Sequence, residues 1–155
     1  MKLVRWNIKI ESTRLGSYKD APWPDKHIVH EYEDCVVYKD GYPVTEGHLL
    51  FVPKQITRRS DITNCFTYAY EWGIQGTMDY RWEAFNVGIN NGVAAGQSVM
   101  WPHVHLIPRR TGDNPNPKGG VRNVIPLKGD YEGGKSWRDK FGTLFKPMDV
   151  ETYND

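Results

Sequence analysis

A single stretch of this chain keeps a helical period, and everything of β character around it is short. From Asp61 to about Met78, the residues Ile62, Cys65, Phe66, Ala69, Trp72 and Gly73 recur at three- and four-residue spacing, the pattern of a helix with one buried face. Ser60 offers a side-chain oxygen for the N-cap, and Asp61 a favourable charge in the first turn. Strand-like runs cover 3–10 (LVRWNIKI), 28–32 (IVHEY), 35–39 (CVVYK), 47–54 (GHLLFVPK) and 82–89 (WEAFNVGI), and another lies within 96–109. Glu33-Asp34, Asp40-Gly41-Tyr42-Pro43 and Asn90-Asn91-Gly92 connect neighbours, and they are too short for the crossovers that parallel strands need. One main helix against a mostly antiparallel sheet is therefore expected, an α+β architecture.

The other segments are irregular by composition. Residues 12–26 are rich in Gly, Pro, Asp and Lys, with Trp23 between two prolines; simple packing on the domain surface is the expectation for it, and the rim of a ligand pocket the second option. Gly and Pro exclude a regular helix over 112–126, whereas Trp137, Phe141, Leu144 and Phe145 allow a short terminal helix before Pro147. With 155 residues the chain suits one domain, 1–155, with its core at about 28–110 and a C-terminal extension at about 111–155.

Charge narrows the partners. Lys+Arg number 20 and Asp+Glu 19, so no basic field attracts a nucleic-acid polymer, and an anionic ligand must be held by a local site. No run approaches the ~20 apolar residues that span a bilayer, and the start has no long apolar core, so neither a membrane nor a secretory route is expected. Cys35 and Cys65, thirty residues apart, read as a reduced pair in a cytoplasmic protein.

The chemistry is concentrated in 96–109, GQSVMWPHVHLIPR. Side chains two apart on a strand point to one face, so Trp101, His103 and His105 should share a face, and two adjacent imidazoles can act together on one phosphorus or metal. Directly upstream, 90–98 (NNGVAAGQS) offers amide, hydroxyl and Gly-flanked backbone donors suited to phosphate oxygens.

This segment resembles the signature of the histidine triad (HIT) superfamily of nucleotide hydrolases and transferases, Gly-Gln-Ser/Thr-Val, one residue, then His-x-His-x-His and two apolar residues. His103 takes the middle position and His105 the last, while Trp101 stands where the first histidine should be. Upstream, 40–54 (DGYPVTEGHLLFVPK) is similar to the family's Asp-to-Gly-His stretch, and Gly112-Asp113, 119–122 (GGVR) and 124–126 (VIP) look like an extension of some bacterial members. The fold this resemblance implies is HIT-like: a mostly antiparallel five-stranded sheet, one main helix and a short C-terminal helix.

The resemblance also implies roles. His103 would attack the α-phosphorus of a nucleoside phosphoramidate or (di)nucleoside polyphosphate, forming a nucleotidyl-histidine that water resolves, and His105 would serve the leaving group as general acid. His48 would support the nucleophile from behind. Asn90, Gly96 and Ser98 would hold the phosphate, with Gln97 near the leaving group and Trp101 beside the nucleotide, and Asp40 would receive the ribose hydroxyls. Trp101 cannot accept a hydrogen bond, so it cannot reproduce a histidine relay.

Three imidazoles, His48, His103 and His105, could hold zinc, yet no essential metal is expected in the chemistry. The cysteine pair by which some family members bind zinc is absent, and a divalent cation would only accompany a polyphosphate substrate. A homodimer is expected by analogy. Two alternatives to a hydrolase remain open: a nucleotidyltransferase or phosphorylase, suggested by Trp101-Pro102, and a nucleotide-binding module with little turnover.

Overall fold

The computed structural model describes residues 13–130, so the strand expected over 3–10 and the short helix expected over 137–145 lie outside the described residues. The chain divides into two compact units, Met1–Asp113 and Asn114–Asp155. In the first, β1 (Ile28–Glu31), β2 (Cys35–Lys39) and β3 (Leu49–Pro53) lead to helix α1 (Arg59–Met78), then β4 (Ala84–Ile89) and β5 (Val104–Arg109). They form a five-stranded sheet in the order β1-β2-β3-β5-β4, with every neighbouring pair antiparallel. In the second unit, a 3-10 turn over Gly120–Val124 falls in the stretch whose Gly/Pro content excluded a regular helix. No helix among the described residues is long and apolar enough to cross a membrane.

Alternation across the strands gives the sheet two different faces. Cys35, Val37, Leu49, Phe51, Val104 and Leu106 meet Cys65 and Ala69 of α1 on one face, with Phe66, Trp72, Phe85 and Val87 around them. Val36, Tyr38, Leu50, Val52 and Trp101 form a second cluster, flanked by Leu15, Tyr18, Trp23, Ile28 and Ile56 rather than by a helix. The expected stripe of α1 is therefore the buried one. The two thiols meet across the helix-facing core, Sγ to Sγ at 3.6 Å and unbonded.

The helix start differs from the expectation at Ser60. Its N-cap is Arg58, and Ser60 lies inside the first turn. The buried Asp61 carboxylate reaches back to accept the backbone N–H groups of Thr57 and Arg58 at 2.9 and 2.8 Å. A carboxylate three residues into the helix thus satisfies the donors that precede it.

Close contact sets the other end of α1. Gly73 and Gly76 lie against the rings of Phe85 and Trp82, and a Cβ built on either would overlap its ring. Trp82, expected in a strand, precedes β4 and instead fills the space over Gly76, donating its indole N–H to the Gly73 carbonyl at 3.0 Å. Adding a methyl to such a contact costs about 1–3 kcal/mol. Gly76→Ala should lower stability by about that amount in urea denaturation, while Glu71→Ala on the exposed side of α1 should change it by less than about 0.5 kcal/mol. Equal stability of the two variants would contradict the contact.

Candidate active site

His103 precedes the first residue of β5, and its imidazole is 7% exposed. Its Nδ1 lies 2.7 Å from the backbone carbonyl oxygen of Trp101. A carbonyl only accepts, so this bond places the ring proton on Nδ1 and leaves Nε2 with a free lone pair. Burial holds the His103 pKa below its usual value, opposed by that hydrogen bond and by the charge of Asp40, which favours the neutral ring at neutral pH.

The second strand contributing to the site is β3. His48 stands just before it, 5% exposed, and its Nδ1 accepts the Val44 backbone N–H at 3.2 Å. A backbone N–H only donates, so the His48 proton sits on Nε2. That nitrogen is 2.9 Å from His105 Nδ1 and 3.4 Å from Asp40 Oδ2. His105 must then accept on Nδ1 and carry its own proton on Nε2. This last N–H is buried and has no partner among the described residues, a donor held ready for a ligand.

The ring centroids of His103 and His105 are 5.1 Å apart, those of His48 and His105 5.2 Å. His105 lies opposite Leu50 on β3, which places the cluster on the sheet face away from α1. Trp101, His103 and His105 share that face, although the paired ladder begins only at Val104. Burial lowers the His105 pKa to about 4, helped by its two imidazole neighbours. His48 is lowered as well, by burial, with Asp40 opposing.

Two expected ligand residues are turned to structural work. The Trp101 side chain lies in the second core cluster, 4% exposed, with its indole N–H on the Pro53 carbonyl at 2.8 Å. Its only donor is taken, so the side chain has no hydrogen bond left to give a ligand, while its backbone carbonyl orients His103. Gln97 is buried and braces its own loop, accepting the Gly92 N–H at 2.8 Å and donating to the Val99 carbonyl at 2.9 Å.

Asp40, His48, His103 and His105 come together. Asp40 also accepts the Tyr42 N–H at 2.7 Å, which fixes the turn leading to Val44. Asn90, Gly96 and Ser98 lie on the loop between β4 and β5, outside the hydrogen-bonded histidine cluster. The ends of that loop meet where Ile89 pairs with Val104, beside His103. Gly96 has φ +92°, the left-handed conformation that closes the 3-10 turn Val93–Ala95.

Trp23, expected first as surface packing and second as the rim of a ligand pocket, stands beside His103. Its ring stands edge-on to His103 with centroids 5.0 Å apart and also lies 5.8 Å from Tyr38. The flanking prolines were the available signal. Asp40, His48 and His105 could together hold a metal ion, since one ligand atom from each lies within 4.8 Å of the others. An open cavity near the end of α1, lined by Thr77, Tyr80, Arg81, Trp82, Glu83 and Arg110, holds none of the expected site residues.

A five-stranded antiparallel sheet with one helix on one face and a buried imidazole cluster on the other defines a histidine-centred α+β domain. The HIT domain family matches residues 23–112, and the chain belongs to that family. An HIT-like protein of Methanocaldococcus jannaschii is 34% identical over 103 residues, 63% of this chain and 80% of that protein. The nitrilase and fragile histidine triad fusion protein NitFhit of Caenorhabditis elegans is 30% identical over 119 residues, 72% of this chain but only 27% of the fusion. The asymmetrical bis(5'-nucleosyl)-tetraphosphatase of Schizosaccharomyces pombe is 35% identical over 79 residues, 46% of this chain and 42% of that enzyme. Among solved structures, a zinc-bound histidine triad family protein from Mycobacterium smegmatis shares the fold at a TM-score of 0.53, with 24% identity over 79% of this chain and 90% of that one.

The lowered imidazole pKa values link the site to stability. A histidine near 6.5 when unfolded and near 4 when folded binds its proton more tightly in the unfolded chain. Its contribution is complete above about pH 6.5 and is lost as pH falls toward 4, a change of about 3 kcal/mol for His105. Urea midpoints measured across this window should fall steeply in the wild type and less steeply in His105→Asn. Parallel slopes in the two proteins would contradict the burial of a neutral His105.

Proposed function

We propose that this chain is a nucleotide hydrolase that cleaves at the α-phosphorus of a nucleoside phosphoramidate or (di)nucleoside polyphosphate through a nucleotidyl-histidine at His103. The observation that carries this reading is the hydrogen bond from His103 Nδ1 to the Trp101 carbonyl, because it frees Nε2 as a nucleophile. In the first step the Nε2 lone pair forms the bond to phosphorus, the bond from phosphorus to the leaving group breaks, and the leaving group takes up a proton. Water then attacks the same phosphorus and yields a proton to His105, replacing the one His105 gave the leaving group; the P–N bond breaks, and a nucleoside monophosphate departs with Nε2 restored.

His105 Nε2–H supplies a hydrogen bond to the departing oxygen or nitrogen. As a proton donor it needs the imidazolium form, which burial opposes in the free site; a bound phosphate anion would raise its pKa and favour that form. His48 fixes which nitrogen of His105 bears the proton, a positioning role. Asp40 would meet the ribose hydroxyls, and Asn90, Gly96 and Ser98 the phosphate oxygens. The name of the fission-yeast tetraphosphatase, a relative covering less than half of this chain, supports a hydrolase acting on nucleotides.

We propose that no metal takes part in the bond-breaking step. A cation bound at His48 Nε2 would displace the proton that the Val44 N–H confines to that nitrogen, and would leave His48 Nδ1 protonated against another donor. A divalent ion would enter only with a polyphosphate. We further propose a cytoplasmic homodimer; the edge position of β4 and the exposed Tyr70, Ile74 and Met78 on α1 support the pairing, and the two free thiols suit a reducing compartment.

The test uses adenosine 5'-phosphoramidate and diadenosine tetraphosphate as substrates, with mass analysis of acid-quenched protein. Wild type should release AMP and show a transient AMP adduct on His103, and His103→Ala should lose at least about 10³-fold in turnover. Full turnover in His103→Ala would contradict the assignment. Faster product formation with inorganic phosphate as acceptor than with water would instead make the chain a phosphorylase, and tight nucleotide binding with neither adduct nor product would make it a binding module.

A further inference from the structure

The nucleophile has only part of the restraint its task requires. An imidazole turned by half a turn about its Cβ–Cγ bond exchanges Nδ1 with Cδ2 and Nε2 with Cε1, so it presents carbon where it presented a lone pair. Rotation at this bond is broad and two-fold in preference, and both orientations fit the backbone equally well. The bond from Nδ1 to the Trp101 carbonyl favours one of them, but a neutral hydrogen bond is of modest net strength. The side chain at 101 adds nothing on the site side, because its indole is turned into the core and held by Pro53. Two aromatic rings among the described residues stand against His103: His105 at 5.1 Å and, from a different part of the chain, Trp23 at 5.0 Å between centroids.

We propose that Trp23 is a positioning residue for His103: its ring, set at a steep angle against the imidazole, holds the imidazole plane and obstructs the rotation about Cβ–Cγ by which Nδ1 would leave the Trp101 carbonyl. This rests on reading His103 as the nucleophile. The two rings meet at 5.0 Å between centroids and 68° between planes, the edge-to-face arrangement that aromatic pairs prefer. Trp23 is itself held. Its ring touches the buried Tyr38 at 5.8 Å, and Pro22 and Pro24 limit its backbone, Pro24 standing as the N-cap of the turn Asp25–His27.

The segment carrying Trp23 is also tied to the loop carrying the orienting carbonyl, through the Leu15 N–H on the Met100 carbonyl at 3.0 Å. Restraint and hydrogen bond are thereby kept in register. A displacement of about 1 Å at a reacting atom costs about 10²-fold in rate, so loss of this contact should appear in the chemical step rather than in binding.

The test compares Trp23→Ala and Trp23→Phe with wild type, using adenosine 5'-phosphoramidate for kinetics and ring ¹⁵N–¹H correlation spectra of His103 in the free proteins. Trp23→Ala should lower kcat by about 10- to 100-fold with KM within about 3-fold, and Trp23→Phe should recover most of the loss, since an edge-on ring is kept. In the spectra, wild type and Trp23→Phe should show one His103 species protonated on Nδ1, and Trp23→Ala a mixture with an Nε2–H species. A rise in KM alone would make Trp23 a wall for the substrate's base and overturn the positioning role. So would an unchanged His103 spectrum in folded Trp23→Ala. If wild type shows neither adduct nor turnover, the hydrolase reading fails, and the spectra still decide whether Trp23 restrains the ring.

Discussion

Two backbone groups decide the chemistry of this site, because each can play only one part in a hydrogen bond. The Trp101 carbonyl accepts, so His103 is protonated on Nδ1; the Val44 N–H donates, so His48 is protonated on Nε2 and passes that polarity to His105. Three chemically identical side chains thereby become one bare nitrogen, one relay and one unpartnered donor. Burial reinforces the assignment by disfavouring charge on all three rings. What His103 uses from position 101 is a main-chain atom that every residue carries.

The fold serves the site by dividing its labour between two sheet faces. Packing α1 on one side requires close approach at Gly73 and Gly76, where the rings of Phe85 and Trp82 take the place of side chains on the helix. Among the described residues, no α-helix covers the other side. There β3 and β5 run antiparallel, and the register that puts Leu50 opposite His105 also brings His48, two residues before Leu50, within hydrogen-bond reach of His105 Nδ1. Trp101 and Trp23 close the same face from two irregular segments, one by filling the core and one by meeting His103.

Period and residue type made some of this legible in the sequence. The three- and four-residue spacing located α1, and the two-residue period placed Trp101, His103 and His105 on one face. What escaped depended on atoms that residue type does not report. Nothing in the letters for Trp101 says that its carbonyl faces an imidazole while its indole faces Pro53, and nothing in Gln97 says that both ends of its amide are spent on its own loop. Ser60 looked like the better cap because its own side chain was considered, whereas Asp61 supplies the oxygen from one residue further on. Trp23 was visible as a restricted residue between prolines, but the partner it meets is eighty residues away.

The most direct measurement is the protonation state of each ring nitrogen in the free wild-type protein at neutral pH, read from long-range ¹⁵N–¹H spectra of the assigned histidines. The hydrogen-bond polarity requires His103 to carry its proton on Nδ1, and His48 and His105 to carry theirs on Nε2. A His103 protonated on Nε2 would leave that nitrogen without a free lone pair and contradict the central claim.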